Sequence, residues 1–187
     1  MRWREALSLF TCVAVVALAA ASLGAPAGLP RAGVPTLGGP ILGGPGDDNP
    51  DVIEVRHYKL TLEKAQKTAT AMQSINQLVA ANPSLNAALD AGSSTTGKKP
   101  ITQQAQDIDA KYPQIAAIIH TNGLATREFI VATGALINDI GWVMMKKQGM
   151  VKDYPPGMIT AENAALIEGN LAAFQEIGAK MQPPSTR

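Results

Sequence analysis

The chain has 187 residues, 46% of them hydrophobic and only 4% aromatic, with 17 glycines and 13 prolines; that composition describes one modest domain plus a part that cannot pack. Formal charge is +1, from 16 basic and 15 acidic residues, and setting aside a leader that holds Arg2, Arg4 and Glu5 leaves 14 of each. A near-neutral chain offers no electrostatic footprint for nucleic acid or for an anionic membrane surface.

Residues 1–24 have the three parts of a secretory signal peptide: a positive start at Arg2 and Arg4, an apolar core over 7–20, and small residues at Ala19, Ala20, Ala21, Ser22 and Gly24. Cleavage is expected between residues 21 and 27. The apolar core is short for an uncleaved anchor. Cys12, the single cysteine, lies inside that core after Leu9-Phe10-Thr11, which is too early for lipoprotein processing. The exported chain then carries no cysteine, and disulfides, thiol catalysis, cysteine-ligated metal and covalent haem attachment are excluded.

Residues 25–57 read as a disordered Gly/Pro-rich linker. Proline recurs at 30, 35, 40, 45 and 50, and the tetrapeptide LGGP occurs at 37–40 and again at 42–45. Glycine and proline at this density do not build a core. Residues 52–58 alternate at period two, too isolated to make a sheet.

From residue 58 to 182 the signals are helical. Thr61 can cap a helix with Ala65, Ala69, Met72, Ile75 or Asn76, and Val79 on its apolar side, ending at Asn82-Pro83. Asn82 as cap and Pro83 at the first position start a short helix that Gly92 is expected to stop. Residues 92–100 read as a loop. Thr102 opens the next helix, with Ile101, Ala105, Ile108 and Tyr112 in register, and Pro113 starts a short one ended by Asn122-Gly123. Thr160 caps a last helix through Ile167, Leu171, Phe174 and Met181, and a tail at 183–187 follows Pro183. The fold class this predicts is all-α, a compact bundle of five to six helices.

The most apolar part of that domain is residues 129–145, and it is the expected central helix. At 100° per residue, Val143, Leu136, Phe129, Ile140, Thr133, Met144, Ile137 and Ile130 fall in one arc of roughly 140°. Glu128, Asp139 and Lys146 share an opposite stripe with Trp142 at its rim. Gly134, Asn138, Gly141 and Met145 form a third face, on which glycine's cost of about 1 kcal/mol per residue suggests a closely packed neighbour. Gly169 and Gly178 in the last helix point to that helix as the neighbour, with Asn138 buried and bonded. A membrane span is the rival reading, but the run is shorter than the ~20 residues required and carries Asn138-Asp139 near its middle.

Leu60-Thr61-Leu62-Glu63-Lys64, then Gly123-Leu124-Ala125-Thr126-Arg127-Glu128-Phe129, then Pro155-Pro156-Gly157 resemble the corresponding segments of a group of small exported all-helical bacterial proteins without an assigned activity. The resemblance spans about residues 58–181, and its motifs are helix starts, which specify fold more than chemistry. Such proteins carry Ser or Thr where Ala125 stands, giving a capping box with the glutamate three residues on. Ala125 leaves the cap to Thr126 and predicts a shifted or frayed start.

Candidate chemistry is thin. Residues 92–98, GSSTTGK, match seven positions of a phosphate-binding loop, but the eighth is Lys99 instead of Ser or Thr, and no strand precedes it. His57 and His120 are the only histidines, and no metal-ligand spacing accompanies either. Glu128 and Asp139 lie eleven residues apart, roughly 16 Å along a helix axis, beyond a glycosidase pair's reach of about 9.5 Å. Asp139 is more simply solvated or ion-paired beside Lys146. No catalytic or metal residues and no cofactor are expected. The candidate binding face is Gly134, Asn138, Asp139, Gly141 and Trp142. The expected function is an exported helical interaction or binding module of the bacterial envelope, periplasmic or secreted, with a protein or small-molecule partner and no stable membrane span. A small-molecule binder with an inter-helix pocket comes second, and a periplasmic chaperone-like or enzymatic role third.

Overall fold

A proline fixes where the first helix begins. Pro50 occupies its first position, and the side chain of Asn49 accepts the Asp51 N–H at 3.0 Å, which satisfies an otherwise orphaned donor. This computed structural model describes residues 48–96 and 99–182. The expected signal peptide at 1–24, the linker up to residue 47, the pair 97–98 and the tail 183–187 lie outside the described residues.

Eight helices and no strand occur among the described residues: α1 Pro50–His57, α2 Leu62–Ala81, α3 Pro83–Thr96, α4 Ile101–Lys111, α5 Pro113–Thr121, α6 Thr126–Lys147, α7 Ala161–Gly169 and α8 Leu171–Met181. The all-helical class holds, and the count of five to six does not. Helix α1 lies in what the sequence presents as linker, and the last helix breaks in two at Asn170. The linker's end therefore needs correcting, because residues 50–57 belong to the domain. Val52 and Val55, one turn apart, are both buried, and Asp51 and Glu54 reach other helices. The carboxylate of Asp51 accepts the Ile101 N–H at 2.9 Å and so supplies the cap that Pro100, with no polar side chain, cannot give to α4.

Most helix ends follow their local chemistry. Thr61 accepts the Lys64 N–H and Thr160 the Asn163 N–H, both as expected. Asn82 and Tyr112 leave the helical region because each precedes a proline, and each therefore joins two helices without a loop. Gly123 and Gly149, at φ 75° and 72°, close α5 and α6 in the left-handed conformation that favours glycine. Behind each, the next residue's N–H reaches back five residues, Leu124 to Ile119 and Met150 to Met145. Gly92 does not stop α3, which continues to Thr96. A mid-helix glycine costs about 1 kcal/mol and need not end a helix. The expected loop at 92–100 is thus helical over 92–96, where a phosphate-binding loop would have irregular backbone.

Two clusters of buried side chains make the core. One gathers Val55, Leu60, Ala65, Ile101, Leu136, Val143, Ile167 and Phe174, and the other Ile75, Leu89, Ile108, Ile115, Ile119 and Phe129. Helix α6 contributes to both, as the sequence led one to expect of a central element. At 22 residues it is long and apolar enough to cross a membrane by length and composition. Length therefore no longer argues against a span. Instead, 56% of its most apolar window is buried inside the domain, and Asp139 stands in its middle.

Candidate functional site

Asn138 and Asp139 are consecutive on α6, so their side chains leave the helix about 100° apart. Both directions are covered by other parts of the chain: Asn138 is 4% exposed and Asp139 0%. Asn138 was expected to be buried with a partner, and it is. Its amide Nδ2 donates to the Met158 carbonyl and to Oδ1 of Asp139 at 2.8 Å. Met158 is delivered by the turn before α7. Gly157 there has φ 74° and the Met158 N–H bonds the Pro155 carbonyl at 3.2 Å, as in a type II turn.

The second oxygen of Asp139 is taken by Asn163, on α7 and 1% exposed, whose Nδ2 donates to Oδ2 at 2.7 Å. The same amide nitrogen donates to the Tyr58 carbonyl at 2.8 Å, and Asn163 Oδ1 accepts the Leu60 N–H at 3.1 Å. Three residues thereby tie α6 to α7, to the turn before it, and to the connection between α1 and α2. Burial pushes the Asp139 carboxyl up to about 6, against the pull of the two amides, which favour its charged form. The expectation of a solvated or Lys146-paired Asp139 is overturned. Lys146 pairs with Glu168 at 3.2 Å and lies 4.4 Å over the Tyr154 ring. A carboxylate whose two oxygens both accept amide hydrogens, shut off from solvent, has no path to a substrate.

The five residues proposed as a face do not share one surface. Asn138 and Asp139 are bonded inside the domain. A Cβ added at Gly134 would meet Val55 Cγ1 at 3.1 Å and Cγ2 at 3.3 Å, so this glycine admits α1. Gly141 has nothing within 4 Å of such a Cβ, and the same holds for Gly169 and Gly178. Trp142 is half-exposed. The glycine trough therefore does not seat the last helix. Helix α8 packs principally along α2, where Asn76 Nδ2 donates to the Met181 carbonyl at 3.2 Å.

Glu128 accepts from Tyr58 Oη at 2.9 Å and pairs with Lys64 at 2.8 Å; the Lys64 ammonium is the main cause of its lowered pKa. The helix α6 start differs from expectation. Ala125 is its cap and has no side-chain oxygen to accept a backbone N–H, while the Thr126 hydroxyl, inside the first turn, donates to Asp109. His120 Nε2 lies 3.2 Å from that hydroxyl. His57 is exposed in the last turn of α1. Among the described residues no group of three or more His, Cys, Asp or Glu is placed to hold a metal ion. Sequence reasoning missed Asn163, whose signal was a polar side chain at the third position of α7, one turn before the buried Ile167.

What remains on the second half of α6 is apolar. Trp142, Met144 and Met145 are half-exposed, and Met150 just beyond the cap is 54% exposed. Trp142 and Met145 are one turn apart, and the Met150 N–H bonds the Met145 carbonyl at 2.9 Å, so these side chains share one end of the helix. No protein-family model, curated protein or solved structure matches the chain.

Proposed function

We propose that the protein is an exported helical interaction module of the bacterial envelope, which binds a protein partner through the apolar end of α6. The observation that carries this reading is the half-exposed group Trp142, Met144, Met145 and Met150. Methionine is adaptable and recurs on surfaces that accept apolar partners, and exposed Lys147 and Lys152 stand beside the group with Asp153. The resemblance to small exported helical proteins and the arrangement of residues 1–24 support export. The charged groups favour binding over catalysis for a separate reason: Asp139 is enclosed, and Glu128, Glu168 and Glu54 are each engaged by a basic side chain.

The test is a photo-crosslinking residue placed at Met145 or Met150 in the full chain, expressed in its own cells, with Gln175 on exposed α8 as the control position. The expected result is one discrete adduct from 145 and 150, absent from 175 and abolished by Trp142→Asp. No adduct at 145 and 150, or the same adducts at all three, overturns the reading. Intact mass of envelope-fraction protein checks export, and a chain that keeps residues 1–21 refutes cleavage.

A further inference from the structure

Among the described residues, three other acidic side chains on or against α6 work beside cations, Glu128 with Lys64, Glu54 with Arg127 and Glu168 with Lys146, while exposed Asp109 accepts from the Thr126 hydroxyl at the start of the helix. Asp139 is the deepest of them and takes only amide donors, from Asn138 and Asn163. Both amides have a second bond that holds a piece of irregular chain, the Met158 carbonyl for Asn138 and the Tyr58 carbonyl for Asn163. The arrangement is complete only while Asp139 is a pure acceptor. Once protonated, one of its oxygens is a hydroxyl, a poorer acceptor that brings a hydrogen of its own.

We propose that Asp139 is a proton-operated latch: it takes up a proton from solvent inside the folded domain, and in doing so releases one of the two amides that hold the α1–α2 connection and the turn before α7 against the central helix. The proposal is independent of the partner-binding reading.

The energetics place the event in an accessible range. With its charged form disfavoured by burial, the Asp139 carboxyl binds a proton at about 6, where an ordinary aspartate is still ionised. The ionisable groups on the elements around it are Asp51, Glu54, Arg56 and His57 on α1, Tyr58 and Lys59 in the connection, Lys152, Asp153 and Tyr154 before α7, Glu162 and Glu168 on α7, and Arg127, Glu128, Lys146 and Lys147 on α6. None contributes to the displacement, whose causes are burial and the two amides alone. Glu128, Glu168, Lys146, Glu54 and Arg127 are engaged in ion pairs elsewhere, Tyr58 and Tyr154 bond Glu128 and Glu168, Asp51 holds the Ile101 N–H, and His57, Lys59, Lys147, Lys152, Asp153 and Glu162 face solvent. The latch therefore answers to solvent pH, with no neighbouring charge to override it. Of the two amides, Asn163 matters more to chain mobility, since its Oδ1 also holds the Leu60 N–H.

A carbon-detected NMR titration of the full chain tests this, read at side-chain carboxyl carbons so that the two histidines do not enter. The Asp139 Cγ signal is expected to move with a midpoint near 6. The side-chain amide nitrogen of Asn138 or Asn163 should move with the same midpoint. Exchange of the Leu60 amide, corrected for its intrinsic pH dependence, should quicken several-fold between about pH 7.5 and pH 5 if Asn163 is the amide released. If Asn138 is released instead, Leu60 stays protected and the Asn138 signal alone moves. In Asp139→Asn the shared midpoint should vanish. An Asp139 midpoint at or below 3.8 overturns the proposal. So does a midpoint near 6 that leaves both amides unmoved. Should Asp139→Asn fail to fold, the coincidence of carboxyl and amide midpoints in the wild type decides alone.

Discussion

Gly134 and Gly141 stand seven residues apart in α6, and replacing each by alanine gives a matched experiment with opposite expected signs. Both changes gain helix propensity, about 1 kcal/mol. At 141 nothing opposes it, because the new methyl meets no atom within 4 Å. Gly141→Ala should stabilise by about 0.5–1 kcal/mol. At 134 the methyl arrives 3.1 and 3.3 Å from the two γ-carbons of Val55. Val55 is 1% exposed and β-branched in a helix, so rotating one methyl away brings the other in. Relief must come from shifting α1, which is held at Asp51 by the Ile101 N–H and at Glu54 by Arg127. Overpacking of this kind costs about 1–3 kcal/mol. Gly134→Ala should therefore come out between neutral and about 2 kcal/mol destabilised. Urea unfolding measures the pair. With a slope of about 1–3 kcal/mol per molar, the two midpoints should separate by about one molar at unchanged slope. Equal midpoints, or a Gly134→Ala variant more stable than Gly141→Ala, would refute the claim that α1 docks against α6 through Gly134. Gly141→Leu, which a packed trough would reject, should be tolerated on the same grounds.

Thr133 is buried on α6 and its hydroxyl has no partner; Thr133→Val, of nearly the same shape, should raise the thermal midpoint, by about 1 kcal/mol of stability. Asn163→Ala strands the Leu60 N–H, the Tyr58 carbonyl and one Asp139 oxygen, and at about 1–3 kcal/mol per orphaned group should cost about 3–5 kcal/mol in chemical denaturation; an effect under about 1 kcal/mol would mean that water replaces the amide. Stability should also carry the mark of Asp139. Its folded pKa of about 6 exceeds the unfolded 3.8, so the native state holds more protons between those values and stability falls as pH rises through them. The span of a little over two pH units, at 1.36 kcal/mol each, makes about 3 kcal/mol, present in full below pH 3.8 and gone above about 6. Glu128 and Asp107, whose values are lowered by Lys64 and by Lys99 with Lys111, act in the other sense and lose their contribution in acid. The difference between wild type and Asp139→Asn isolates the first effect, and parallel curves from about pH 4 to pH 6 would remove it.

The sequence spoke clearly wherever the decisive contact was local. Thr61, Thr160, Asn82-Pro83 and Gly123 mark ends that depend on neighbours within a few residues, and the helices begin or end there. It misled where the contact was remote. Asp139 shares a stripe with Glu128 and Lys146, which a helical wheel presents as the wet side. A wheel shows a residue's place relative to its own helix and not what other elements bring over it. Ala135, four residues before Asp139 and so on the same side of the helix, is small and apolar, which was the available hint that a neighbour comes close; it is wholly buried. Helix α1 escaped notice because eight residues after a run of glycine and proline offer only Val52 and Val55 as apolar contacts. The two tethers that fix it, Asp51 to Ile101 and Glu54 to Arg127, join residues 50 and 73 positions apart. Asn163 was legible only as an oddity, since its three partners lie 24 to 105 residues away.

The two core clusters have a consequence for how the domain comes apart. Among the described residues, the clustered side chains of α3 and α5 lie in the cluster of Phe129, and those of α1, α7 and α8 in that of Phe174. Three helices enter both: α2 through Ala69 and Ile75, α4 through Ile101 and Ile108, and α6 through Val131 and Phe129. Opening either group of peripheral helices leaves those three with one intact set of contacts, whereas opening any of the three dissolves both sets at once. Amide protons in the middle of α2, α4 and α6 should therefore report the free energy of global unfolding, and those of the other five helices two lower and separate values.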